Sequence, residues 1–184
     1  MSSLTTKRAI AYTFKVLLKE KPFNKITIND IASECDINRQ TFYYHFQDIK
    51  DLVEWICIDE VDKLLAEKDN YEKWEDKFLM IFKIMEEERI LVKNIYHSVS
   101  VEVLRNNLYR LVYPIIYNEI VEKSKGKNLR EEDKKFITNF YKFSFVEIVL
   151  DWVDKGMYQD PRLIVSNISK LLTGTIEHAC LSMK

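Results

Sequence analysis

Between Asn38 and Phe46 the chain reads NRQTFYYHF. The guanidinium of Arg39 carries paired N–H donors that match the O6 and N7 edge of guanine. The amide of Gln40 matches adenine in the same bidentate way. Thr41, Tyr43, Tyr44 and His45 hold donors that reach phosphate oxygens or a thymine methyl. Phe42 and Phe46 stand four residues apart, so in a helix they share one face and anchor it inward. The segment thus divides into an apolar side and a side of polar tips suited to a nucleic acid.

Such a segment needs a frame that presents it. Ile10, Phe14, Leu17 and Leu18 recur at helical spacing over Thr6 to Lys19, and Pro22 ends that helix. Thr27 is a cap with Asp30 as its capping-box partner, opening a short helix with Ile28, Ile31, Ala32 and Cys35 on its apolar face. A turn at Cys35 to Asn38 follows, where Asp36 tolerates the geometry required. Asn38 caps a third helix over Arg39 to Phe46, and Asp48 a fourth reaching about Glu67. Two short helices joined by a three- to four-residue turn are the signature of a helix-turn-helix, whose second helix enters the major groove.

Composition agrees. Three Gly and three Pro in 184 residues leave few tight turns and favour long helices, and 47% hydrophobic residues suffice for a buried core. No Gly-rich phosphate loop occurs. The net charge is −1, but residues 1–47 carry seven Lys/Arg against four Asp/Glu, while the rest is acidic. A basic end on an acidic body points to a polyanion partner for that end. Cys35, Cys57 and Cys180 are too far apart for a zinc pattern and read as free thiols. The first residues have no apolar signal core, and LVYPIIY is too short to span a bilayer. The expected setting is the cytoplasm.

The stretch ITINDIASECDINRQTFYYHFQDIKDL resembles the DNA-binding segment of the tetracycline-repressor (TetR) family over residues 8–55. The match includes Ile31-Ala32, the small residue Cys35, the turn Asp36-Ile37, and Thr41 to Phe46. The resemblance implies an all-α fold, a DNA-binding domain over residues 1–50, and a helical regulatory and dimerisation domain over 51–184. It implies double-stranded DNA as partner, contacted by Thr27, Arg39, Gln40, Thr41, Tyr43, Tyr44, His45 and Lys50. Two positions depart from the family pattern. Asp36 stands where the turn usually has Gly. The Lys usual near the start of the fourth helix falls at Ile49, with Lys50 next to it. A narrower resemblance, in Trp55, Trp74 and NRQTFYYHFQ, is to regulators of dihydroxyacetone-kinase operons. These work as activators with a separate co-activator that senses the small molecule.

The remainder reads as helices around Trp74–Met85, Ile90–His97, a long segment containing Pro114, one from about Glu131 stopped by Gly156, and a last one opened by Asp160-Pro161. The final two are apolar on broad faces. A homodimer interface through Phe143, Val146, Leu150, Ile168, Leu172 and Ile176 is therefore expected. Tyr96, His97, Tyr113, Tyr117 and Tyr141 are candidates for an effector pocket, since pockets are largely aromatic with polar tips. Core residues look the same. His97 and His178 are read as structural rather than metal-binding, and no cofactor is expected. Two other functions compete. A helical enzyme needs inward carboxylate–histidine sets, and only Glu177-His178 stands in that role. A protein-interaction module needs an apolar outer face where Arg39 to His45 are polar.

Overall fold

The computed structural model describes residues 3–66, 73–127 and 129–182, and among them every regular element is helical. The helices are α1 (Ser3–Glu20), α2 (Ile28–Glu34), α3 (Arg39–His45), α4 (Ile49–Ala66), α5 (Trp74–Glu87), α6 (Arg89–Ser98), α7 (Val101–Lys123), α8 (Glu131–Asp154) and α9 (Pro161–Ser182). A single 3-10 turn, Phe23–Lys25, joins α1 to α2. The chain divides into two compact units. The first holds Met1–Lys63 and Glu88–Leu104, the second Leu64–Glu87 and Arg105–Lys184. The divisions fall inside α4, between α5 and α6, and inside α7.

In the first unit α1, α2 and α3 pack on one another, and α6 packs on α1. Ile10, Phe14, Ile31, Phe42, Phe46 and Leu52 fill the centre. Local chemistry sets the short helices. The Thr27 hydroxyl accepts from the Asp30 amide, and the Asp30 carboxylate accepts from the Thr27 amide at 2.7 Å. Two of the donors left over at the start of α2 are thereby satisfied. At its other end Asp36 adopts φ 52°. Ile37 N–H then reaches the Ala32 carbonyl at 2.9 Å and Asp36 N–H the Ser33 carbonyl, a Schellman closure. An Asp is among the few non-glycine residues that take this conformation readily. Asn38 Oδ1 accepts the Thr41 amide at 2.7 Å and starts α3. Asp48 Oδ1 accepts the Asp51 amide at 2.9 Å and starts α4.

Five charged side chains from α1 and α4 form one network. Arg8 and Lys63 both pair with Asp59, at 3.2 and 2.7 Å, while Lys15 and Lys63 pair with Glu60 at 3.0 and 2.9 Å. They line a cleft of about 270 Å³ together with Tyr12, Trp55 and Ile56.

In the second unit α9 packs on α5 and α8. Phe145 of α8 lies 4.0 Å from the Phe78 ring and 6.0 Å from Phe82, and Trp152 meets Phe82 edge-on at 4.8 Å. Gly156 ends α8 at φ 84°, with Met157 N–H on the Trp152 carbonyl at 2.8 Å. A Cβ at Gly156 would stand 2.7 Å from the exposed Tyr158 ring, which can swing aside, so the positive φ is what calls for glycine here. Asp160 Oδ1 accepts the Arg162 amide and opens α9. No helix among the described residues is long and apolar enough to cross a membrane.

Candidate nucleic-acid interface

Helix α3 has one buried residue, Phe42, whose ring packs against Phe46 at 5.8 Å. Every other side chain from Arg39 to His45 has access to solvent. Arg39, Gln40, Tyr43 and Tyr44 are exposed, Tyr44 to 82%, and Thr41 and His45 are half-buried. The division of the aromatic cluster into inward Phe and outward polar rings is thus present in the structure. Arg39 Nη2 donates to the Tyr43 hydroxyl at 3.3 Å and its guanidinium sits 5.8 Å over the Tyr43 ring. This ordering keeps the fork of Arg39 on the open side of the helix. Tyr44 and His45 meet edge to face at 5.0 Å.

Two of the sequence candidates carry tasks within the fold. The Thr41 hydroxyl donates to Asn38 Oδ1 at 3.0 Å. The Thr27 hydroxyl donates to the Asp30 carboxylate at 2.6 Å. Thr27 is exposed, yet both its amide and its hydroxyl are engaged in the cap. At the start of α4, Ile49 is half-buried and Lys50 exposed. Lys7 of α1 places its ammonium 5.0 Å over the Phe46 ring and 5.7 Å over Trp55, where those rings meet edge-on. It joins the first turns of α1 to the corner between α3 and α4 through cation–π attraction. No local pattern encodes such a contact.

The Thr27 hydroxyl, then Lys21 at 2.9 Å, then the Thr27 amide hold the Asp30 carboxyl down at about 2. Because the folded value is depressed, the contribution of this cap is fully present above the ordinary carboxylate value of 3.8. It is lost as pH falls through about 2. Thr27→Val is expected to move the Asp30 titration back up toward 3.8. Carbon-detected NMR of the carboxyl reads it directly. An unmoved titration would mean that Lys21 and the residue-27 amide set the value without the hydroxyl.

The remaining candidates are distributed over both units. Tyr96 is half-buried, His97 exposed, and the two rings meet edge to face at 5.3 Å in the first unit. In the second unit Tyr113 and Tyr117 stack at 5.8 Å, and the Tyr117 hydroxyl donates to Glu131. That bond raises the Tyr117 pKa. Tyr141 is buried, its hydroxyl bonded to Thr175. Of the interface candidates, Val146, Leu150, Ile168 and Leu172 are buried within the chain itself. Both sides of α8 are apolar, and the inner set satisfies the core. Phe143 is exposed, and with Phe136 and Phe140 it forms an outward stripe on α8, 64%, 57% and 48% exposed from Phe136 to Phe143. Leu163 and Leu171 are exposed on α9. The side chains of Ile176 and Cys180 lie outside the described residues. Cys35 and Cys57 are free, and burial, with Glu54 and Glu60, pushes the Cys57 thiol up to about 11. Among the described residues no three His, Cys, Asp or Glu side chains gather as a metal site.

Comparison with known proteins adds to this geometry. Residues 15–56 match the family described as bacterial regulatory proteins, tetR family, and residues 72–174 match a transcriptional regulator C-terminal region of the same family. The chain is 22% identical over 157 residues to the HTH-type dhaKLM operon transcriptional activator DhaS of Lactococcus lactis, covering 84% of this chain and 82% of that protein. It resembles the structure of a dihydroxyacetone kinase operon activator DhaS with TM-score 0.73 at 23% identity, over 95% of this chain and 97% of that one. A Thermus thermophilus FadR, a repressor solved with lauroyl-CoA, superposes with TM-score 0.63 at 15% identity, over 90% and 92% of the two chains. The exposed donors of α3 stand on the helix-turn-helix of a known regulator family, and the body matches its C-terminal region: the chain belongs to the TetR family of bacterial transcriptional regulators and is not an enzyme.

Proposed function

We propose that this protein acts as a homodimer that reads a palindromic operator through α3, with residues 1–50 as the reading head and 51–184 as the regulatory and dimerisation body. The observation that carries the reading is the open face of α3, where Arg39 and Gln40 occupy the first turn with no partner element over them. Arg39 and Gln40 contact base edges. Thr41, Tyr43, Tyr44, His45 and Lys50 supply backbone and groove contacts, and Thr27 contributes through the cap that fixes α2. The dimer forms through the exposed Phe136 and Phe140 of α8 with Leu163 and Leu171 of α9, apolar groups that a second copy would cover. The likeness to DhaS supports an operator in front of dihydroxyacetone-kinase genes, and with it activation rather than repression. A small-molecule effector or a co-activator protein then sets DNA affinity by binding one arrangement of the dimer better than the other.

Footprinting on the DNA upstream of the chain's own gene and its neighbours tests the proposal. The expected result is a protected site with two half-sites about one helical turn apart. Arg39→Ala is expected to relax discrimination at one base position by about 1–3 kcal/mol. Quantitative competition between the site and single-base variants measures it. Equal loss on specific and random DNA would remove Arg39 from base reading and make it a phosphate contact.

A further inference from the structure

Lys142 stands apart from the other cations of the second unit. Its ammonium lies 4.3 Å from the Phe143 ring centre, 4.7 Å from Tyr109 and 5.7 Å from Tyr113. Its hydrogen-bond acceptor is a neutral one, Asn139 Oδ1 at 2.9 Å. No carboxylate pairs with it among the described residues. The neighbouring carboxylates along the same seam of α7 and α8 are committed elsewhere, Glu147 to Arg105 and Glu131 to Tyr117. Burial against the rings lowers the Lys142 pKa. Three rings hold the cation in place but leave its charge without a counter-ion. Partly desolvated, and with no carboxylate partner among the described residues, the ammonium gains from an anion brought to its open side. The rings beside it, Tyr113 continuing into its stack with Tyr117, form a wall for an apolar or planar body.

We propose that Lys142, with Tyr109, Tyr113 and Phe143, is an anion-binding point for the effector: it takes a small organic acid whose carboxylate or phosphate pairs with Nζ and whose body lies on the rings. This rests on the effector-controlled reading above and gives that effector a chemical class. Asn139 orients the ammonium and is a positioning residue. The sequence KFSF offered no sign of the site, because Tyr109 and Tyr113 are more than twenty-five residues away in the chain.

The test uses the full chain in chloride buffer at constant ionic strength. Benzoate, phenyl phosphate and the neutral benzamide are the probes, and the melting temperature is the readout. An anion that binds is expected to raise it saturably, by about 3 °C at tenfold above its Kd. Benzamide is expected to leave it unchanged. A response to benzoate alone assigns a carboxylate, and to phenyl phosphate alone a phosphate ester. Lys142→Gln should abolish the rise and Lys142→Arg should keep it. No rise with either anion, or an equal rise in Lys142→Gln, overturns the proposal. A Lys142→Gln chain that dissociates at higher concentration than wild type in sedimentation, with no anion present, also overturns it, because the lysine then pairs across subunits. The footprint of ligand-free protein fails or succeeds independently. A melting shift without a footprint sinks only the DNA reading, and a footprint without a shift sinks only this one.

Discussion

Phe42→Ala is expected to unfold the first unit and abolish DNA binding together. Phe42 is fully buried and is the one side chain by which the seven-residue α3 enters the core. An isolated helix of that length does not hold in water, so its packing face decides whether it exists. Its ring touches Phe46 at 5.8 Å and Tyr43 edge-on at 5.9 Å, linking the anchor to the polar face. Truncating a buried Phe to Ala costs about 3–5 kcal/mol, a large share of the roughly 5–15 kcal/mol that holds a whole domain. Urea unfolding followed by far-UV circular dichroism measures the loss, with Phe42→Leu as the milder control. A Phe42→Ala protein with the wild-type midpoint and no DNA binding would show that the ring acts on the operator rather than on the fold.

Phe145→Ala is the counterpart in the second unit. Phe145 is 2% exposed, tilted against Phe78 and edge-on to Phe82. The ring pairs are worth about 0.5–1.5 kcal/mol each beyond burial, and the cavity left behind adds to the lost transfer energy. A loss of about 4 kcal/mol is expected, which lowers the melting temperature by roughly 10 °C in a chain of this length. Scanning calorimetry reads it. A shift under about 2 °C would mean that Phe78 and Phe82 close over the gap.

Much of the first unit was legible because its decisive interactions are local. Thr27 with Asp30, Asn38 with Thr41, and Asp36 in a left-handed turn are each encoded within four residues. Phe42 and Phe46 announce their face by spacing. Gly156 and Asp160-Pro161 marked the turn between α8 and α9 in the same way. The second unit yielded less. Along α8 the inner Val146 and Leu150 and the outer Phe136, Phe140 and Phe143 are equally apolar. Periodicity reports that both faces avoid water, not which face turns to the chain's own α5 and α9. Thr27 was legible as a cap, and its hydrogen bonds show its hydroxyl engaged with Asp30. The ring contacts of Lys7 and Lys142 were not legible, because Phe46 and Trp55 lie far along the chain from Lys7, and Tyr109 and Tyr113 reach Lys142 from α7.

The bracket of Lys7, Phe46 and Trp55 has an optical consequence. Trp74 and Trp152 are buried in the second unit, whereas Trp55 is half-exposed in the first. Its indole is therefore expected to emit to the red of the other two, and the ammonium 5.7 Å above it to perturb that emission. Any DNA phosphate that draws Lys7 away releases the indole from this field. The protein thus carries its own dye at the hinge of the recognition helix, and the red edge of its fluorescence follows the reading head without a label.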